Sequence, residues 1–319
     1  MQILRHYENT PDDVRGGVVV MGNFDGVHRG HQAVIGKGAE LARNRTEPLV
    51  VVTFEPHPRS FFRPHDPAFR LTSFRNKAHH IEALGVDVLI VLNFDETLSR
   101  LTAQDFVQNV VVEGLAARDL VVGYDFRFGH QRDGDADFLK NQAATSHFTL
   151  SVIEPITSAD SEVYSSTHIR ELLIAGKPGH AAAMLGRPFE IEGRVQHGDE
   201  RGRQLGFPTA NMDLDGYLHP ASGVYAIRAG LETETGAFEW FDGVANFGNR
   251  PTVDGARTLL ESHLFDFDGD LYGKNLRIAL IEFLRPERKF DGLDQLKAQI
   301  AEDSASARRM LRVRAAGAP

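Results

Sequence analysis

The sequence predicts two domains of different fold class: an open, doubly wound α/β sheet, followed by a small antiparallel β-barrel or sandwich with a C-terminal helix. Between residues 16 and 160, short apolar runs alternate with segments of helical spacing, an order typical of a parallel sheet covered by helices. After residue 188 the apolar runs are separated by turns rich in Gly, Asp and Pro. A chain of 319 residues is long enough to build a core in each half.

The first half is predicted to contain five buried strands. They do not alternate in polarity, which is typical of parallel strands covered on both faces, and they span 18–21, 49–53, 86–92, 120–123 and 150–153. Helical spacing predicts helices over 31–45, 74–84 and 106–115, and again in "STHIRELLIAGKP" and "GHAAAMLG". We place the domain boundary beside Arg187-Pro188, which gives domains 1–186 and 187–319.

The second half is predicted to consist of antiparallel strands and one long helix. The strands are "FEIEGRVQ", "GVYAIRAG", "FEWFDGVANFG", "TLLESHLFDF" and "NLRIALIEFL", several of which alternate in polarity. The helix is "DGLDQLKAQIAEDSASARRML", residues 291–311. A small barrel or sandwich capped by this helix follows from that order.

Composition excludes several classes of function. With 35 basic and 44 acidic residues the formal charge is −9, and no long block of like charge indicates a nucleic-acid partner. The absence of cysteine excludes disulfides, thiolate zinc sites and a cysteine nucleophile. We expect no membrane partner and a cytoplasmic location, because no signal-peptide pattern is present and runs such as "VLIVL" are too short to cross a bilayer.

The segment "GNFDGVHRGHQ", residues 22–32, combines glycines and two histidines between a predicted buried strand and a predicted helix. In a doubly wound sheet, ligands bind beyond the carboxyl ends of the strands, and a helix N-terminus favours phosphate. His28 and His31 lie three residues apart, so both imidazoles can face one bound phosphate and stabilise its charge. The alternatives are a metal pair or structural histidines, but no HExxH or third-ligand pattern is nearby.

A second polar segment, "RGRQLGFPTANM", spans residues 201–212. If Thr209-Ala210-Asn211 is extended, the side chains of Thr209 and Asn211 point to the same side. Their oxygens suit Mg²⁺ but carry no charge, so the ion should arrive with nucleotide phosphates. The alternative is a simple Gly- and Pro-rich turn. Walker A and protein-kinase signatures are both absent from the sequence.

Four motifs of the first half resemble those of bifunctional FAD synthetases, in which a Rossmann-like nucleotidylyltransferase domain is fused to a riboflavin kinase. They are "GNFDGVHRGH", "TFEPHPRSFF", "VGYDFRFGHQRDGD" and "SSTHIRELL". The resemblance implies catalytic contacts from His28 and His31 to the ATP phosphates. It implies further ATP contacts from Gly22, Asn23, Phe24, Asp25, Gly30, Asp125, Ser166, Thr167 and Arg170, and a flavin-side wall of Phe54, Pro56, His57 and Pro58. Asp125 stands where some members of the family carry Asn.

The second half resembles riboflavin kinases in "GFPTAN", "GVANFGNRPT" and "ESHLFDFDGDLYGK". Glu261 taken alone would be read as a solvated strand-end carboxylate; the resemblance implies the catalytic base that takes a proton from the ribityl 5′-hydroxyl. It also implies Mg²⁺ ligation by Thr209 and Asn211, and flavin contacts from Asp303 and Arg308. The implied ATP site comprises Gly202, Arg203, Gly206, Phe207, Pro208, Thr209 and Asn211.

The predicted function is therefore the conversion of riboflavin to FMN and of FMN to FAD, using ATP with Mg²⁺. The predicted partners are riboflavin, FMN and ATP, and self-association is left open. One alternative is an enzyme with one inert module, but both sets of motifs are intact. Others are a non-catalytic flavin sensor, which should show eroded phosphate motifs, and nucleotidyl transfer to RNA or lipid, which should show a basic track or an apolar entrance.

Overall fold

The computed structural model describes residues 1–158, 161–196, 207–214, 216–252 and 255–316. The chain divides into two compact units, each with its own sheet. The first unit is Met1–Pro67 with Phe74–Ser165, and the second is Ala68–Ser73 with Ser166–Pro319. The division of the chain into functional domains between residues 186 and 187 stays a prediction. Across the described ranges, no helix has both the length and the apolar character needed to cross a membrane.

The first unit contains a six-stranded sheet in the order β1-β4-β3-β2-β5-β6, and every described pairing in it is parallel. The prediction of a parallel sheet is confirmed, and all five predicted strands are present. The strands are β1 (Gln2–Leu4), β2 (Val18–Met21), β3 (Leu49–Glu55), β4 (Val88–Asn93), β5 (Asp119–Gly123) and β6 (Thr149–Ile153). Sequence analysis missed β1, because three residues at a sheet edge give no apolar run long enough to recognise.

Helices cover both faces of this sheet. They are α1 (Arg29–Arg45), α2 (Pro58–Phe62), α3 (Phe74–Glu82), α4 (Glu96–Arg100), α5 (Ala103–Phe106) and α6 (Ala136–Ser146), with a π-helix at Val107–Gly114 and a 3₁₀ turn at His130–Arg132. Alternate residues of β2 pack on opposite sides: Val20 joins a cluster with Ile35 of α1, and Val19 joins one with Phe106 of α5. Helix α1 packs closely on β2, since a Cβ added at Gly38 would lie 2.3 Å from the Val20 side chain.

The second unit is an antiparallel sheet in the order β7-β12-β9-β10-β11-β8, as predicted for this half. Its elements are α7 (Ser166–Ile174), α8 (Pro178–Leu185), β7 (Phe189–Arg194), β8 (Ala210–Asp213), β9 (Gly223–Glu232), β10 (Phe238–Thr252), β11 (Gly255–Leu264), β12 (Asn275–Pro286) and α9 (Leu293–Ala316). The two edges of the curled sheet meet just beyond β7, where the Gln196 amide donates to the Asn211 carbonyl at 2.8 Å.

The C-terminal helix α9 packs on one face of this sheet. Ala307 and Leu311 are buried in a cluster with Val224, Ala226 and Ile281. The predicted helix over 291–311 is confirmed, and it runs one turn further along the chain. Strand β8 is formed by Ala210–Asp213, which is not among the strands predicted from the sequence.

Candidate active sites

Three loops lie together at one end of the first sheet, because each of them follows the carboxyl end of one of three adjacent parallel strands. Residues 22–28 follow β2, residues 56–57 follow β3, and residues 124–129 follow β5; β3 and β5 are the two neighbours of β2. Ligands of open α/β sheets bind at this end. The structure therefore brings together three of the four motifs that sequence analysis identified in the first half.

The loop after β2 is tightly packed and conformationally unusual. Phe24 and Val27 have φ values of 49° and 42°, a left-handed region that large side chains seldom adopt. Phe24 is 1% exposed and Asp25 is 2% exposed, so the loop is folded inward rather than left in solvent. A Cβ at Gly22 would lie 2.9 Å from the Phe24 ring, which explains the glycine there. Backbone strain of this kind is concentrated at functional sites.

His28 and His31 are held together at the beginning of α1. His28 is the N-cap of the helix, and its Nδ1 accepts a hydrogen bond from the His31 amide at 3.3 Å. The two rings stack with centroids 3.6 Å apart. Because Nδ1 accepts, the neutral His28 ring carries its proton on Nε2, which is then a donor. Gly30 leaves space for this ring, since a Cβ there would approach it to 3.1 Å.

The loop after β3 contains the predicted flavin-side wall. The Glu55-Pro56 peptide is cis, and His57 caps α2 by accepting from the Arg59 amide at 3.1 Å on Nδ1. Pro58 begins α2. Phe54 is 7% exposed and belongs to the core cluster of the sheet. The flavin contacts of these residues stay a prediction.

Asp125 lies two residues beyond the end of β5, and its side chain is exposed. Because β5 is next to β2, this carboxylate lies at the same end of the sheet as the His28 loop. Ser166, Thr167 and Arg170 lie in α7 of the second unit. There, Arg170 Nε donates to the carbonyl of Phe69 at 2.8 Å, and its guanidinium carbon lies 5.4 Å from the centre of the Phe69 ring. The ATP contacts of Asp125, Ser166, Thr167 and Arg170 stay predictions.

In the second unit, a row of polar side chains crosses three adjacent strands. Asn211 of β8 pairs directly with Glu261 of β11, and Glu261 pairs on its other side with Asn246 of β10. Directly paired residues of antiparallel strands face the same side of the sheet. Asn246 also donates through Nδ2 to Glu287 Oε1 at 3.2 Å. Two amides and two carboxylates thus share one face.

Asn246 and Glu287 were missing from the predicted site residues. Asn246 lies inside the motif "GVANFGNRPT", so the sequence indicated this segment but did not indicate which of its residues belongs to the site. Glu287 follows β12 and lies outside every motif, and only the fold brings it to Asn246. Gly248 makes space for it, because a Cβ there would meet the Glu287 carboxylate at 2.0 Å.

The segment before β8 is held in place by a histidine of β11. His263 Nδ1 lies 2.9 Å from the Pro208 carbonyl oxygen, and the rings of Phe207 and His263 meet edge to face at 5.5 Å. Since a carbonyl only accepts, Nδ1 carries the proton and donates. Thr209 directly precedes β8, and Asn211 lies within it. Gly202, Arg203 and Gly206 lie outside the described residues.

Asp303 and Arg308 of α9 both form ion pairs. Asp303 is 6% exposed and binds the Arg285 guanidinium, with its closest contact at 2.7 Å, and it also accepts from Gln299 at 2.8 Å. Arg308 donates to both carboxylate oxygens of Asp266, at 2.7 and 2.9 Å. The hydrogen bonds from Arg308 lower the pKa of Asp266. Flavin contacts of Asp303 and Arg308 stay predictions.

The chain combines a parallel α/β sheet with a curled antiparallel sheet, and family matches assign an enzyme activity to each half. Residues 10–168 match the family model described as FAD synthetase, and residues 185–311 match the one described as riboflavin kinase. The chain belongs to the family of bifunctional riboflavin kinase/FMN adenylyltransferases. The predicted pair of activities, riboflavin phosphorylation and FMN adenylylation, is thereby confirmed.

Named relatives support this assignment over nearly the whole chain. The bifunctional riboflavin kinase/FMN adenylyltransferase of Escherichia coli (strain K12) is 42% identical, covering 97% of this chain and 97% of the relative. That of Pseudomonas fluorescens is also 42% identical with the same coverage. A crystal structure described as a macrolide-efflux protein from Streptococcus pneumoniae shares the fold with a TM-score of 0.84 at 30% identity, covering 97% of this chain and 99% of that one.

Proposed function

We propose that Glu261 is the general base of riboflavin phosphorylation. The observation that carries this proposal is the row Asn211–Glu261–Asn246, which sets one carboxylate between two amides on a single sheet face. The carboxylate takes the proton of the ribityl 5′-hydroxyl as that oxygen bonds to the γ-phosphorus of ATP and the bond to ADP breaks. The neutral amides on either side bind polar groups without competing for the proton.

The same face suits a magnesium ion that arrives with ATP. A Thr hydroxyl and an Asn amide oxygen are oxygen donors that Mg²⁺ accepts, and Thr209 and Asn211 supply one of each beside Glu261. The ion, when bound, neutralises phosphate charge. Thr209 and Asn211 would hold it, while Glu261 keeps its role as base. Because both of these ligands are neutral, the phosphates must supply most of the negative charge around the ion.

For the second reaction, we propose that His28 and His31 stabilise the ATP phosphates while an FMN phosphate oxygen attacks the α-phosphorus and pyrophosphate leaves. The Nδ1 atom of His28 accepts the hydrogen bond that caps α1, so the neutral ring carries its proton on Nε2, and this N–H is a donor that suits an anion. The N-terminus of α1 adds its own favourable field for negative charge at the same point. No protein nucleophile is needed, because the substrate phosphate performs the attack.

We propose that the substrates are free small molecules in the cytoplasm, with no nucleic-acid or membrane partner. The formal charge of −9 supports this, because it would repel both a nucleic acid and an anionic membrane surface. Sedimentation of the purified chain measures its self-association.

One assay measures both of the reactions that these sites are proposed to catalyse. The purified chain is incubated with riboflavin, ATP and Mg²⁺, and FMN and FAD are resolved chromatographically over time. FMN should appear first and FAD should follow. In parallel, FMN is supplied directly, so that each half-reaction is read alone. Failure of FAD formation from FMN, with normal riboflavin phosphorylation, would remove the proposed role of the His28 loop.

A further inference from the structure

Lys77 of α3 is a fully buried lysine next to the His28 loop. Its side chain is 0% exposed, and its ammonium lies 2.9 Å from Glu55 Oε1 and 3.5 Å from Thr53 Oγ1. Lysine is almost never fully buried unless it is paired, because an ammonium loses its hydration there. No motif of the sequence singled out this residue. An apolar side chain of similar length would fill the same space without that penalty, so the charge calls for an explanation.

The hydrogen bonds around Lys77 have a fixed direction. The Thr53 hydroxyl donates its single proton to the carbonyl of Asn23 at 3.1 Å, because that carbonyl can only accept. An ammonium can only donate, so Thr53 must accept from Lys77 with its lone pair. The result is a directed chain from Lys77 through Thr53 to Asn23. Polarised chains of this kind strengthen one another in a buried environment.

Lys77 is therefore connected to two of the three loops that follow the carboxyl ends of β2, β3 and β5. Asn23 belongs to the loop that carries His28, and Glu55 is the last residue of β3, bonded directly to Pro56. One ammonium thus ties the proposed phosphate side of the site to its proposed flavin side. The Lys77 side chain is 0% exposed, so it contributes by holding Glu55 and Thr53 in place from inside the protein.

We propose that Lys77 is a positioning residue for FMN adenylylation, which fixes the His28 loop and the Pro56 loop in one mutual geometry. This inference rests on the proposed role of these loops in the second reaction. Misplacement of catalytic groups by about 1 Å can cost on the order of 100-fold in rate, so loss of the Lys77 contacts should lower the rate of FMN adenylylation by a readily measured amount. Riboflavin phosphorylation uses the other sheet and serves as a measurement of intact protein in the same sample.

The experiment compares four variants of the full chain. K77M keeps the length of the side chain but removes its charge. T53V removes only the hydroxyl that relays to Asn23, and T53S restores that hydroxyl. D119N is the matched control. Asp119 is also a buried ion-pair residue, since it is 1% exposed and lies 2.7 Å from Arg45. It is the first residue of β5, so it lies at the amino-terminal end of the strands, away from the three loops. Each variant is assayed for both reactions, well below its own melting temperature.

The expected result is a loss of about tenfold or more in kcat/KM of FMN adenylylation for K77M, with raised KM for both FMN and ATP. T53V should lose about threefold or more, whereas T53S should stay within about twofold of the wild type. D119N should lower the melting temperature without changing these KM values. Riboflavin phosphorylation should be unaffected in all four.

Two results would overturn the inference. One is a wild-type kcat/KM in folded K77M and T53V. The other is a loss that D119N shares, or that T53S shows as strongly as T53V, since a purely structural ion pair would act in that way. If K77M does not fold, the T53V and T53S pair decides, because valine and threonine have nearly the same shape. A wild-type chain that makes no FAD, or His28 and His31 variants that make it normally, would instead point to failure of the site assignment.

Discussion

Glu261 of β11 and Asn211 of β8 occupy directly paired positions on antiparallel strands, so that a carboxylate and an amide separated by 50 positions in the chain face the same side of the sheet. The pairing places the proposed base directly beside the proposed metal ligand on neighbouring strands. Groups held by a sheet ladder keep their geometry better than groups carried on loops.

Replacing Glu261 by Gln should abolish most riboflavin phosphorylation and leave FMN adenylylation intact. The amide keeps the shape of the side chain but cannot accept the hydroxyl proton, and general-base catalysis typically contributes about 10²- to 10⁴-fold. The two half-reactions are measured separately from riboflavin and from FMN. Glu239→Gln, at an exposed position of β10, is the control and should change neither reaction. Loss of both reactions in folded E261Q would favour a single shared active site.

Replacing His28 and His31 together by Ala should stop FAD formation while FMN accumulates from riboflavin. Loss of one preorganised donor costs roughly 10²- to 10³-fold in rate, and the double variant removes both. FMN and FAD are quantified from the same incubation. His6→Ala, at an exposed position of the same unit, should behave as the wild type. A double variant that makes FAD at the normal rate would exclude these imidazoles from the mechanism.

Replacing His263 by Ala should weaken ATP use in riboflavin phosphorylation, because Pro208 and the adjoining Thr209 lose their anchor. One neutral hydrogen bond is worth about 1 kcal/mol, so KM for ATP should rise about fivefold. His263→Asn is the matched variant, since the asparagine Nδ2 can donate from nearly the position of the histidine Nδ1. It should recover much of the affinity. Equal effects of the two substitutions would show that the hydrogen bond is unimportant.

Mg²⁺ should bind negligibly to the nucleotide-free protein and tightly in the presence of ATP. Thr209 and Asn211 are uncharged, and Mg²⁺ gives up its water reluctantly without strong negative charge nearby. Titration calorimetry with and without a non-hydrolysable ATP analogue measures the difference. Tight, stoichiometric Mg²⁺ binding without nucleotide would contradict the proposal that the ion binds together with the ATP phosphates.

A fragment of residues 187–319 should phosphorylate riboflavin without making FAD, and a fragment of residues 166–319 should do so with greater stability. The reason lies in α7 and α8, which belong to the second unit: the Ala221 amide donates to the Leu173 carbonyl at 3.0 Å, and Met184 is 3% exposed. Removing them exposes apolar surface. Thermal unfolding and FMN formation are measured for both fragments. Equal melting temperatures would mean that these helices contribute nothing to the barrel.

Local sequence signals predicted most elements of both sheets, since buried parallel strands such as Val18–Met21 are uninterrupted apolar runs. They were weaker where local geometry departs from the standard forms. The helix predicted over 106–115 is instead a short α-helix followed by a π-helix at Val107–Gly114, and the widened turn has no pattern of its own. The extended conformation considered for Thr209-Ala210-Asn211 is confirmed for the two residues that begin β8.

Site residues were predicted where a local motif carries them and missed where only the fold does. The proximity of His28 to His31 follows from helical spacing, so it could be predicted and is confirmed. Lys77 and Glu55 are 22 positions apart, and Asn246 and Glu287 are 41 apart, and neither pair has a spacing that indicates contact. Such pairs depend on strand order and register, which no periodicity in one sequence encodes.

The presence of two separate sheets in one polypeptide has a consequence for metabolism. Every molecule made by the ribosome carries one kinase unit and one adenylyltransferase unit, so a cell cannot change their ratio by changing gene expression. The balance between FMN and FAD then depends on the relative turnover of the two units and on the supply of their substrates. A substitution that slows only one unit, such as E261Q, should therefore alter the composition of the flavin pool in a way that higher expression of the same chain would not correct.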